Sequence, residues 1–116
     1  MAIVELSAVT LAVSDMARAL AFYRNLGFQV KYGDEMSSFA SLNAGSGFLN
    51  LIYVANADVR GWGRAIFYVD DVDAQYQRVL DAGITPMFAP IDARWGERYF
   101  HVTDPDGHEV SFARPL

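Results

Sequence analysis

Two histidines, His101 and His108, flank the segment Asp104-Pro105-Asp106-Gly107, with Glu97 and Glu109 close by. Imidazole and carboxylate hold divalent zinc, nickel, iron or manganese, and both also serve as general acids and bases. A hairpin folded at that turn brings the two histidines near each other. Strand alternation instead sets them on opposite faces when Glu109 and Ser111 point inward, and a histidine beside a turn is read as a surface residue. A second possible chemistry is stacking. Trp62 and Trp95 stand in the glycine-flanked stretches GWG and RWGE. With Phe39, Phe48, Phe88 and Tyr68 they are suited to sandwich a planar ligand or, equally, to close the ends of a core. The chain has no cysteine, which removes disulfides, thiolate metal sites and cysteine nucleophiles.

The elements that must position these residues are written twice. Val9–Val13, an acid at Asp15, a helical pattern and Gly27 recur 56 residues later as Ala65–Val69, Asp71, a second helical pattern and Gly83. Alternation predicts a strand over residues 3–13, and Met16, Ala19, Leu20, Tyr23 and Leu26 at three- and four-residue spacing predict a helix over 16–26. Ser14 or Asp15 caps it, and Gly27 ends it. Strands are expected at about 28–33, 36–43 and 47–54. The second unit is read as a strand at 64–69, a helix at about 72–82 capped by Asp70 or Asp71, and strands near 84–90, 97–103 and 108–113. The linker, about Ala55 to Gly63, carries Gly61 and Gly63 around Trp62 and is too short to separate independent domains. A doubled βαβββ unit implies an α+β fold, one domain over 1–116 with units at about 3–56 and 62–114, and a core shared between them.

Composition narrows the function classes. At 116 residues and 53% hydrophobic, the chain is long enough to bury a core without staples. Its net charge of −5 argues against a nucleic-acid partner, which needs clustered Lys and Arg. No run approaches the roughly 20 apolar residues of a membrane helix. The opening MAIVELSAVTLAV lacks the basic start of a secretory leader, so a cytoplasmic protein is expected.

The stretch VTLAVSDMARALAFYRNLGF near the start, together with WGERYFHVTDPDGHEVSF near the end, resembles the vicinal oxygen chelate superfamily. This group includes glyoxalase I, extradiol dioxygenases and bleomycin resistance proteins. The resemblance covers nearly the whole chain. It implies two curved half-sheets forming a cup, with helices on the outer face, and a homodimer. Enzymes of the family hold a divalent metal on the inner strand faces. Carried over residue by residue, the four ligand positions fall at Ala8, Asn50, Arg64 and Ser111. Ala8 has no donor atom, Arg64 is a permanent cation, and Asn50 and Ser111 are weak neutral oxygens. The resemblance therefore implies no metal at these positions and no cofactor.

With those positions facing inward, Thr10, Ala12, Phe48, Ile52, Ile66, Tyr68 and Glu109 join them, and Tyr99 and His101 are further candidates. The opposite faces carry Val9, Leu11, Val13, Leu49, Leu51, Ala65, Phe67, Val69, Val110 and Phe112, all apolar, as faces covered by helices should be. The inward mixture of aromatic and polar groups has the composition of a ligand pocket. Phe48, Asn50, Trp62, Arg64, Tyr68, Trp95, Tyr99, Glu109 and Ser111 are the ligand-binding candidates. Arg64 needs a partner, supplied by Glu109 or Tyr68 or by an anionic ligand. The first reading is a metal-free binding protein, similar to bleomycin resistance proteins, that sequesters a partly aromatic molecule. The alternative is a glyoxalase-like lyase, isomerase or dioxygenase, with a displaced metal or with acid–base catalysis by Glu109, His101 or Tyr68. A third reading is a dimeric interaction module.

Overall fold

The structure is a computed structural model that describes residues 1–58 and 62–116. Gly61, one of the two glycines beside Trp62, lies outside the described residues. The first unit runs β1 (Ala8–Val13), α1 (Met16–Asn25), β2 (Val30–Tyr32), β3 (Phe39–Ala44) and β4 (Gly47–Tyr53). The second runs β5 (Arg64–Tyr68), α2 (Val72–Asp81), β6 (Ile91–Ala93), β7 (Glu97–Thr103) and β8 (Glu109–Pro115). The doubled βαβββ order read from the sequence is thus the order observed.

Both helices begin on the aspartates that the repeat brought into register. The Asp15 side chain accepts from the Arg18 N–H at 3.0 Å and that of Asp71 from the Ala74 N–H at 3.0 Å, the N-cap bond that satisfies an otherwise orphaned donor. Gly27 ends α1 at φ 102°, a left-handed conformation that costs an L side chain.

Two expectations need correction. Residues 3–7 do not extend β1; they are exposed and outside any strand. Residues 84–90 form no strand either. Pro86 and Pro90 remove two N–H donors from that segment, so among the described residues its backbone bonds β7 once, the Met87 N–H to the His101 carbonyl at 2.9 Å, and pairing resumes at β6.

Each unit forms a four-stranded sheet, in the order β1-β4-β3-β2 and β5-β8-β7-β6. The β1/β4 and β5/β8 pairs are parallel and the others antiparallel. The two registers match: Thr10 stands opposite Asn50 and Asn50 opposite Ser41, while Ile66 stands opposite Ser111 and Ser111 opposite His101. Residues directly opposite share a face, so these sets mark the inner faces. The outer faces make the core. Leu11, Val13, Leu49, Leu51, Val110 and Phe112 are buried with Met16, Leu20 and Tyr23 of α1 and Val79 of α2, as the apolar outward set predicted.

A polar joint ties the units together at the Asp104–Gly107 turn. Tyr23 Oη donates to Asp104 Oδ2 at 2.7 Å, and the N–H groups of Asp106 and His108 donate to Asp104 Oδ1, each at 2.9 Å. The Ser14 N–H donates to Asp106 Oδ1 at 2.9 Å. Burial, reinforced by the Asp104 carboxylate, pushes the Tyr23 hydroxyl far above the ordinary phenol range, so it remains a donor. His108 Nε2 meets the Ala12 carbonyl at 2.7 Å and, because a carbonyl only accepts, carries the proton.

Candidate functional site

The inner face of the second sheet brings together an arginine, two glutamates, a histidine, a serine and two tyrosines. Its rows follow from the register: Arg64 beside Glu109, then Ile66 beside Ser111 beside His101, then Tyr68 beside Ala113 beside Tyr99. The sequence expectation that histidines near the turn lie on the surface is wrong, since His101 and His108 are only 5% and 3% exposed. They do take opposite faces. His108 joins the outer side, where β8 meets the first unit, and His101 joins the inner side with Ser111.

Arg64 finds its partner inside the protein. Its Nε lies 2.9 Å from Glu109 Oε2 and its Nη1 donates to His101 Nε2 at 2.9 Å. A guanidinium has no acceptor, so His101 Nε2 must carry the lone pair and Nδ1 the proton, which is donated to Ser111 Oγ. Burial and then the Arg64 charge hold the imidazole below its ordinary pKa, with Glu109 opposing in part, so His101 is neutral at neutral pH.

Beside this polar row stands an aromatic wall. The Trp95 and Tyr99 rings are 5.3 Å apart, and Phe88 meets Tyr99 at 5.5 Å and His101 at 5.0 Å, both edge to face. Glu97 fixes the rim: Trp95 Nε1 donates to its Oε1 at 3.0 Å and Tyr68 Oη donates to its Oε2. That bond to Glu97 raises the Tyr68 pKa and keeps its proton in place. Trp95 and Tyr68 remain 64% and 63% exposed, an unusual presentation for rings already oriented by hydrogen bonds.

The first sheet's inner face is quieter. Ser41 Oγ and Asn50 Oδ1 are 2.7 Å apart, Asn50 Nδ2 donates weakly to Thr10 Oγ1 at 3.4 Å, and Lys31 Nζ sits 4.2 Å above the Phe48 ring. Phe39 contacts Tyr32 at 6.4 Å. Phe48 and Ala8 share a cavity of about 340 Å³ with Arg64 and Ile66, which brings the two equivalent first-strand positions to one groove. Trp62 stands apart from the other rings: its ring contact among the described residues is with His108 at 5.4 Å. The structure thus brings Arg64, Tyr68, Trp95, Tyr99, Glu109 and Ser111 onto one face, with Phe48 and Asn50 on the neighbouring sheet. Phe88, named among the possible stacking rings, does join this wall, and one participant, Glu97, is read from the sequence only as a metal ligand or acid–base group. Alternation from Tyr99 places Glu97 on the same face and would have found its rim role; Phe88 reaches the wall from outside any strand.

The four positions at which the resemblance puts metal ligands do not fit a divalent ion. Ala8 has no donor, Arg64 is a cation engaged by Glu109 and His101, Ser111 is engaged by His101, and Asn50 is bonded within its own sheet. Among the described residues no group of three or more His, Cys, Asp or Glu side chains is placed to hold a metal. No helix among them is long and apolar enough to cross a membrane.

Comparison with known proteins points to one family. The family model described as Glyoxalase/Bleomycin resistance protein/Dioxygenase superfamily matches residues 5–112. A stretch of 48 residues is 50% identical to an uncharacterized protein of Mycobacterium bovis and covers 41% of this chain but only 32% of that protein. Among solved structures, a bleomycin-binding protein complexed with bleomycin superposes with a TM-score of 0.79 at 23% identity, covering 98% of this chain and 100% of that one. Lactoylglutathione lyase from Agrobacterium tumefaciens superposes with a TM-score of 0.75 at 22% identity, covering 94% and 92%. One architecture therefore serves a binding protein and a lyase, and function must be argued from the site.

Proposed function

The chain belongs to the glyoxalase/bleomycin resistance protein/dioxygenase superfamily, and from that premise we propose that it is a metal-free binding protein that captures a planar, partly aromatic small molecule on the inner face of the second sheet. The observation that carries this reading is the exposed pair Trp95 and Tyr68, held in fixed orientation by one carboxylate, Glu97. Rings that are oriented before the ligand arrives lose little freedom on binding, which favours affinity. Tyr99 and Phe88 back the wall, while the partly exposed Arg64 and Glu109 supply hydrogen bonds at its polar end; Ser111, buried and engaged by His101, supports them from beneath instead of meeting the ligand. Phe48 and Asn50 face the ligand from the first sheet, whereas Trp62, packed on His108 on the outer side, takes no part. The working form is a cytoplasmic homodimer in which a second copy covers the open face. The bleomycin-binding relative lends this reading a precedent in fold, without naming the ligand.

The enzyme reading asks Glu109, His101 or Tyr68 to move a proton. Arg64 occupies both Glu109 and the His101 lone pair, and Glu97 holds the Tyr68 proton, so each group is committed before any substrate arrives. The test is a fluorescence titration with planar aromatic compounds in the presence of chelator, read from the tryptophans. A saturable change is expected, weakened about tenfold or more in Trp95→Ala, the loss of one stacked ring being worth roughly 1–3 kcal/mol. Binding that needs added metal, or that ignores Trp95→Ala, would overturn the proposal.

A further inference from the structure

The two units dock on each other unequally. At the β1–α1 corner, the five residues between β7 and β8 reach across and fill the space: Asp104 takes the Tyr23 hydroxyl and His108 takes the Ala12 carbonyl on the free edge of β1. The equivalent corner, between β5 and α2, meets a turn of just two residues between β3 and β4, Gly45 and Ser46, together with the Leu26–Phe28 stretch at the end of α1, where Gln75 Nε2 donates to the Leu26 carbonyl at 2.9 Å. The 56-residue repeat puts Val79 where Tyr23 stands and Tyr68 where Ala12 stands. Among the described residues no side chain donates to the Tyr68 carbonyl as His108 does to that of Ala12.

What remains there is a cavity of about 540 Å³. Arg78 is, among the described residues, the only charged one lining it, in a chain whose net charge is −5. Among the described residues its guanidinium forms no hydrogen bond or ion pair. It lies against Gly27 so closely that a Cβ there would be 2.2 Å from Nη1, so the glycine gives the guanidinium its seat. The β5 edge adds backbone donors. The Val69 N–H is spent on the Ala113 carbonyl at 2.9 Å, so alternation turns the Ile66 and Tyr68 N–H groups the other way, toward the cavity. Phe28 and Phe67, 4.9 Å apart, supply an apolar wall.

We propose that this cavity is a second binding site, separate from the inner face, for a small aryl carboxylate whose anionic group pairs with Arg78 and whose ring lies against Phe28 and Phe67. A guanidinium receives a carboxylate through two parallel N–H bonds, and the unpaired strand edge offers neutral backbone N–H donors beside its own carbonyls. The pairing needs no metal and no movement of the sheet.

The test is an amide-resolved NMR titration of the full chain with benzoate, phenylacetate and 4-phenylbutyrate, each against its uncharged amide. At least one carboxylate should give saturable shifts at Gly27, Ser46 and Tyr68. Its amide and the variant Arg78→Gln should each weaken binding about tenfold or more, with Arg78→Lys recovering part of it. Arg78→Gln should leave binding of a planar ligand to the Trp95 face unchanged, which separates failure of this site from failure of the other. The proposal falls if none of the carboxylates shifts these amides at millimolar concentration, if Arg78→Gln binds like the parent, or if the shifts map to Tyr99 and His101. It also falls if these amides change with protein concentration alone, because the groove would then be covered by a second copy.

Discussion

The two sheets of this molecule share a register and differ in what they present. On the outer faces the equivalent positions stay apolar: Leu11 matches Phe67, Leu49 matches Val110 and Leu51 matches Phe112, all set against the same core. On the inner faces they diverge, with Ala8 against Arg64, Phe48 against Glu109 and Ser41 against His101. The contrast follows from packing. A face pressed against helices must stay close-packed and apolar, whereas a face open to solvent is free to change its chemistry. The first sheet keeps a neutral rung through Asn50, and the second carries an ion pair and a cluster of edge-to-face and tilted rings. The same inequality governs the turns, where the longer one fills a corner and the shorter one leaves its counterpart open.

The sharpest break in the comparison should come at the turns. Asp104→Ala removes the acceptor of three donors at a buried joint and should lower stability by about 3 kcal/mol, whereas Ser46→Ala in the shorter turn should stay within about 0.5 kcal/mol. Urea unfolding of the two variants checks this. Next come the rungs. Ser111→Ala leaves the buried His101 Nδ1–H without its partner and should cost about 1–2 kcal/mol, against about 0.5–1 kcal/mol for Asn50→Ala, whose weaker rung is more open to water.

The smallest effect is a pH dependence confined to the second sheet. Burial and the Arg64 charge lower the His101 pKa, so the unfolded chain takes up this proton before the folded one does. This component of stability is constant above about pH 6.5, the ordinary histidine value, and falls as pH drops below it. His101→Gln should flatten that slope, and Ser41→Ala, its counterpart in the first sheet, should leave it unchanged. Unfolding midpoints across mildly acidic pH measure the difference.

Much of this was legible in the sequence because repetition and alternation are local signals. The repeat aligned Asp15 with Asp71 and Gly27 with Gly83, which located both helices and their caps. Alternation assigned the faces of β1, β4, β5 and β8 and left Arg64 a choice of Glu109, Tyr68 or a ligand as partner, which the structure resolves to Glu109 together with His101. What local signals could not carry was contact across the chain. The burial of His108 depends on a carbonyl 96 positions away, and Trp62 follows that histidine, not the other rings. The segment 84–90 looked strand-like by composition, yet its two prolines decided otherwise.

The central claim is that the second sheet's inner face binds a planar ligand without a metal. Metal analysis of the purified protein, joined to a thermal-shift screen of planar aromatic compounds with chelator and with added nickel, zinc, manganese or iron, tests it most directly. The account predicts no stoichiometric metal, a melting temperature raised by a planar compound in the presence of chelator, and loss of that rise in both Arg64→Ala and Trp95→Ala. A tightly bound stoichiometric metal that is required for the rise would contradict it.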